Sequence, residues 1–170
     1  MKINKNVFYL SAGAVLILLL LAADQLTKYL AQIQLAGTAG IALIPGVFEL
    51  YYVENRGAAF GMLNNRQLLF IVIAAVIIVI SIYTYIRLPE SRHYHFLRVV
   101  CVLIASGAAG NMIDRLVRGY VTDFLYVSLI DFPVFNLADC FVCVGAALAV
   151  IALFTLYQNE DFAFLKLRSQ

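Results

Sequence analysis

The chain has no tryptophan, three prolines, three cysteines, two histidines and only 13% charged residues. Each scarcity excludes something. A soluble domain carries about 25% charged residues, so this composition is not that of a soluble domain. Basic residues are scattered and the net charge is only +2, which leaves no basic stripe for nucleic acid. An odd number of cysteines gives no complete disulfide framework. Cys140 and Cys143 form a C-x-x-C, but no second Cys or His pair completes a tetrahedral metal site. They read as small packing residues on an apolar helix. His93 and His95 lie in a polar loop and read as solvated or headgroup-facing. No G-x-S-x-G nucleophile motif occurs, so a serine triad has no starting point. The residues call for no metal and no cofactor.

Long apolar runs, in contrast, are abundant. The chain is 64% hydrophobic, with a mean hydropathy of +0.91, as expected for an integral membrane protein. Its 170 residues suit one membrane-embedded domain, residues 1–170. Four segments are apolar and long enough to cross a hydrocarbon core, which takes about 20 residues: approximately 7–29, 67–86, 96–113 and 137–157. The first follows basic Lys2 and Lys5 and runs through Ala22-Ala23, so a cleaved signal peptide is one reading. Three further apolar segments favour an uncleaved span. The fold class is therefore an all-α integral membrane protein. Four transmembrane helices carry a small extracytoplasmic subdomain, β-rich and looped, formed by 31–66 and 114–136. Gln32 to Leu35 suits a short interfacial helix. Val47 to Val53 and Tyr120 to Ser128 are β-branched and aromatic, and suit strands.

Basic residues weigh slightly toward the termini and the 87–98 loop (Lys2, Lys5, Arg87, Arg92, Arg98, Lys166 and Arg168 against Lys28, Arg56, Arg66, Arg115 and Arg118). This bias predicts both termini in the cytoplasm. Acids cluster at the opposite face: Asp24, Glu49, Glu54, Asp114, Asp123, Asp131 and Asp139. Acids contribute little to topology, so that clustering points to chemistry.

Span ends bring these groups together: Asp24 and Lys28 from the first, Asn111, Asp114 and Arg115 from the third, Asn136 and Asp139 from the fourth. Asp24 and Lys28 are i,i+4 and pair on one helix face. Asp114-Arg115 reads as an ion pair or anion-binding edge, and Asp131 before Phe132-Pro133 as a turn residue. Asp123 and Asp139 are 16 positions apart, about 24 Å on a continuous helix. Pro133 breaks such a helix, so the chain can fold back and bring the two carboxylates together. Asn136 is a candidate N-cap that places Asp139 at N3, where the helix dipole favours a negative charge. Two close carboxylates share a proton, one polarising water while the other donates. The residues alone leave three readings open: a water-activating pair, a small transporter or channel subunit using the acids as a proton or cation path, and an assembly protein packing through Ser106-x-x-x-Gly110. Intramembrane transport sites lie near the midplane, and Ile71 to Ile80 and Leu148 to Thr155 carry no charge.

Five blocks carry a resemblance: Asp24-Gln25-Leu26-Thr27-Lys28, Asn55-Arg56-Gly57-Ala58-Ala59-Phe60-Gly61, Gly110-Asn111-Met112-Ile113-Asp114-Arg115, Val121-Thr122-Asp123-Phe124 and Phe135-Asn136-Leu137-Ala138-Asp139. In this order and spacing the sequence resembles the lipoprotein signal peptidases (signal peptidase II), bacterial membrane aspartic endopeptidases. The resemblance implies four transmembrane helices in the cytoplasmic (inner) membrane, both termini cytoplasmic, and an active site toward the outer face. It implies Asp123 and Asp139 as the catalytic dyad. Asn55, Asn111, Arg115 and Asn136 would line or support the site, with Asp24, Lys28, Asp114 and Gly57 as further substrate-binding or supporting residues. The implied partner is a prolipoprotein whose lipobox cysteine carries diacylglycerol, cut before that cysteine in a setting of membrane lipid. Globomycin-type cyclic peptides are the implied inhibitors. One departure stands out: Cys140 follows the second aspartate, where the family commonly has a small hydroxyl residue.

Overall fold

The computed structural model describes residues 5–57 and 66–165. The block Ala58 to Gly61, together with Lys2, Lys166 and Arg168, lies outside the described residues. Four long helices dominate: α1 (Lys5–Leu35), α2 (Gln67–Arg87), α3 (His95–Arg118) and α4 (Leu137–Thr155). All four are long and apolar enough to cross a membrane, and the protein is multi-pass. Large apolar side chains project outward along them, among them Leu18, Val79 and Phe154. With no water to face, such side chains cost nothing against lipid tails.

Two helix ends differ from the expectation. Helix α1 continues through Gln32 to Leu35, so no separate interfacial helix forms there. Nothing in that stretch breaks a helix, and the first residue with a left-handed backbone is Gly37, at φ +75°. At 31 residues, α1 is about 46 Å long, well over the roughly 30 Å of hydrocarbon. Helix α3 likewise runs past residue 113 and carries Asp114, Arg115 and Arg118 on helical turns. It stops at Gly119, at φ 76°, whose missing Cβ permits the left-handed C-cap. The charges expected in a loop are thus fixed on a rigid element.

Helix α3 packs against each of the other three helices. It is the most internal, with Leu97, Val100, Val102, Ala105 and Ala108 buried. The sheet has the order β1-β2-β3, built from Ile41–Ile44, Phe48–Asn55 and Val121–Tyr126, all antiparallel. Strand β3 follows α3 directly and lies on β2 with Val53 opposite Asp123 and Asn55 opposite Val121. Leu35, Ala31 and Phe124 form a small core where α1 meets the sheet. Phe135 bridges back to Leu125, and its backbone hydrogen bonds to that residue hold the 127–136 connection against β3. This return, with Pro133 inside it, delivers the start of α4 to Asp123.

Candidate active site

Asp123 is the third residue of β3 and is 1% exposed. Asn55, at the end of β2, donates from Nδ2 to Asp123 Oδ2 at 2.8 Å, and Asn136 donates from Nδ2 to Oδ1 at 2.6 Å. Asn136 is the N-cap of α4 and forms a capping box: the Asp139 N–H donates to Asn136 Oδ1 at 3.0 Å, and the Asn136 N–H donates to Asp139 Oδ2 at 3.1 Å. One asparagine therefore touches both carboxylates, and the reciprocal capping box satisfies two N–H groups that otherwise lack partners. Asn111, on α3, donates from Nδ2 to Asp139 Oδ1 at 2.7 Å. Its Oδ1 accepts from Asn136 at 3.1 Å and from Lys28 Nζ at 2.9 Å.

Behind the two aspartates lies a buried ionic cluster. Asp24, Lys28 and Asp114 are each fully buried. Lys28 Nζ reaches Asp24 Oδ2 at 3.0 Å and Asp114 Oδ2 at 3.2 Å, and Asn111 takes its third proton. Asp24 Oδ1 accepts from the Ala138 N–H at 3.0 Å, tying α1 to the first turn of α4. Gly110 permits this approach, since a Cβ there would lie 2.5 Å from Asp24 Oδ2. The pairing Asp24–Lys28 is as expected from spacing. Asp114, however, does not pair with Arg115. Its ion-pair partners are Lys28 and Arg118, the latter at 3.0 Å, and the Thr122 N–H donates to its Oδ2 at 3.1 Å. An i,i+1 neighbour points to a different side of a helix, whereas Arg118 at i,i+4 shares the face. The arginine spacing was the available signal for Arg118. Gln25, which donates to Asp24, Asp114 and the Gly110 carbonyl, had no signal outside the family block.

Arg115 turns toward the open side. Its guanidinium lies 4.9 Å from the Phe70 ring centroid and donates to the Asn111 and Gly57 carbonyls. Gly57 is buried, and its N–H donates to Asn55 Oδ1 at 3.0 Å. That contact orients the Asn55 amide so that its NH2 meets Asp123. Asp131 has φ 49° and accepts from the Tyr126 hydroxyl at 2.7 Å, so it is the turn residue its sequence context suggested.

Burial raises the Asp123 carboxyl to a pKa of about 7, aided by the neighbouring Asp139 charge and opposed by hydrogen bonds from Asn55 and Asn136. Desolvation disfavours the charged form, and a second carboxylate adds to the effect. Asp123 is thus poised to hold or release a proton near neutrality.

Both aspartates open onto a cavity of about 540 Å³. Asn55, Asn111 and Arg115 line its polar side, and Phe70, Pro133 and Val144 its apolar side. Cys140 and Cys143 also line it, so they are wall residues and not packing between helices. The apolar wall escaped sequence reasoning, because nothing local marks which face of an apolar helix borders a cavity. Among the described residues no cluster of three or more metal-ligating side chains occurs. The arrangement suits water activation by paired carboxylates beside an apolar surface.

Comparison with known proteins agrees in sequence and in fold. Residues 16–155 match the profile of the family described as Signal peptidase (SPase) II. The lipoprotein signal peptidase of Symbiobacterium thermophilum is 46% identical over 141 residues, covering 82% of this chain and 91% of that protein. The lipoprotein signal peptidase of Caldanaerobacter subterraneus is 49% identical over 124 residues, covering 72% and 82%. A bacterial membrane enzyme solved by the in meso method superimposes with a TM-score of 0.76 at 28% identity, over 94% of each chain.

Proposed function

The chain belongs to the signal peptidase II family, a family of membrane proteases, and on that premise we propose how it removes signal peptides from prolipoproteins. Asp123 and Asp139 are the catalytic dyad. The observation that carries this reading is Asn136, which contacts both carboxylates at the edge of the cavity. Asp123, with its raised pKa, holds the proton, and Asp139 polarises a water. The water attacks the scissile carbonyl and gives a proton to Asp139 while Asp123 protonates the carbonyl oxygen. The resulting gem-diol collapses as Asp139 passes its proton to the leaving nitrogen and Asp123 takes one back from a diol hydroxyl, so no covalent intermediate forms. Asn55, Asn111 and Asn136 orient the carboxylates. Arg115, bordering the same cavity, with Gly57 as one of its carbonyl acceptors, fits a polar peptide backbone. Asp24, Lys28 and Asp114 lock the elements behind them.

The apolar side of the cavity fits the acyl chains of a diacylglyceryl-modified cysteine, and cleavage falls before that cysteine. The cytoplasmic membrane holds the enzyme, with both termini inside and the site toward the outer face, in keeping with the basic-residue bias. Globomycin-type peptides compete for the same cavity.

The test is mass spectrometry of a lipidated prolipoprotein incubated with purified enzyme. Wild type releases the signal peptide at the bond before the lipidated cysteine, and globomycin stops it. Asp123→Asn and Asp139→Asn each lower the rate by on the order of 10³-fold or more, with the thermal transition retained. Turnover near the wild-type rate by either variant removes that residue from the dyad.

A further inference from the structure

Cys140 and Cys143 are the part of the cavity wall that the reaction leaves unused. Both are free thiols. Three positions apart on α4, they share a helix face, and both border the cavity that holds Asp123 and Asp139. Cys140 adjoins Asp139 in sequence, and Cys143 lies about 4.5 Å further along the helix, next to Val144 on the apolar side. Cys143 is exposed and Cys140 half-buried. Cys101 provides the contrast. It is 7% exposed and borders a separate, smaller apolar cavity among α1, α2 and α3.

We propose that Cys140 and Cys143 form a thiol modification site in the wall of the substrate cavity, open to small neutral disulfides and thiosulfonates, and that an adduct there blocks cleavage. The blocking half of this proposal rests on the peptidase reading above; the labelling half does not. A cysteine Sγ, as thiolate, attacks the sulfenyl sulfur of the reagent. A new S–S bond forms on the cysteine and the bond to the reagent's leaving group breaks. That group departs as sulfinate or thiolate, and the thiol proton goes to solvent. The cysteine sulfur is oxidised and the reagent reduced, with no other reactant. A reducing thiol reverses the step by the same exchange. A neutral reagent suits the site because Phe70, Pro133 and Val144 make that side of the cavity apolar, and a charged reagent would be desolvated there. An adduct at Cys140 stands beside Asp139, where the scissile bond must approach. An adduct at Cys143 fills the apolar side.

The experiment treats the purified full chain in detergent with methyl methanethiosulfonate. Adducts are read cysteine by cysteine by mass spectrometry, and the cleavage rate is followed in parallel. Cys140 and Cys143 label ahead of Cys101, and the wild type loses most of its rate. Dithiothreitol restores the rate, and bound substrate slows the loss. Cys140→Ser, Cys143→Ser and the double variant are each compared with their own untreated rates, and the double variant is insensitive. Complete labelling of both cysteines with an unchanged rate overturns the proposal. So does inactivation that persists in the double variant, or labelling confined to Cys101. If the untreated enzyme does not cleave, the peptidase reading fails, while the adduct masses still decide the modification site.

Discussion

At the sheet end of the bundle, Asp24, Lys28, Asp114 and Asn136 are completely buried; Lys28 pairs with both aspartates, and Asn111 links it to Asn136, across three helices. At the other end, His93 and Asp161 also meet at 3.0 Å, but with side chains 48% and 26% exposed. That pair sits on an aromatic cluster of Tyr94, Tyr157, Phe162 and Phe164 around Leu88 and Leu97. Arg98 nearby is buried, yet it donates to the backbone carbonyls of Tyr85, Leu88 and Pro89 and stacks on Tyr9. Charge is present at both ends, but only one end makes its charges depend on each other. Screening leaves an exposed pair little to contribute. A buried pair is costly to desolvate, and costlier still to break, because one partner then remains charged and alone.

Lys28→Met attacks that dependence most directly. It strands Asp24 in the interior without a cation, leaves Asp114 with Arg118 alone, and takes from Asn111 its cationic donor. The expected loss is about 3–5 kcal/mol of stability, read as a lowered thermal transition in detergent, with cleavage reduced in the protein that stays folded. A transition within error of wild type would mean that the cluster carries no mutual dependence. Asn136→Ala removes a helix cap worth about 0.5–2 kcal/mol. It also takes from Asp123 its Asn136 Nδ2 donor, while the backbone N–H at 136 still reaches Asp139, so cleavage falls by on the order of 10²-fold, out of proportion to the stability change. A rate loss no larger than the unfolded fraction explains would reduce Asn136 to a cap.

The pH dependence sharpens the contrast. The Asp123 pKa rises from 3.8 to about 7 on folding, so the native state binds the proton more tightly than the unfolded chain. Its contribution to stability is full below pH 3.8 and is lost as pH rises through about 7. In the proposed mechanism cleavage uses that proton, so the rate is expected to fall over the upper part of the same window. Asp123→Asn is neutral throughout, so its stability relative to wild type improves as pH rises from 4 to 7. A flat difference across that range would remove the raised pKa. His93→Ala makes the smallest change: the thermal transition and the cleavage rate stay where they are. A loss of cleavage there would show that the far end is coupled to the site after all.

Much of the fold was legible. Four spans follow from hydropathy, the two strand-forming stretches from β-branched and aromatic residues, and the N-cap from Asn136 ahead of an apolar run. That Asp123 and Asp139 come to one cavity was legible as a possibility from Pro133, and the five blocks gave the two as an expected dyad. The Asp114–Arg115 pairing was misread, because adjacency in sequence is separation on a helix. The ends of α1 and α3 were placed too early, because hydropathy marks where apolar residues stop and not where backbone hydrogen bonding stops.

By itself the sequence determined the elements and their terminations, since apolar length, glycine stops and capping are properties of one segment at a time. Only the tertiary structure decided the partners. That Lys28 spends its third proton on Asn111, that Asn136 serves both aspartates and that two cysteines face the cavity all depend on how α1, α3 and α4 cross. Each buried polar atom had to find a partner on another element, and no single segment specifies which one it finds.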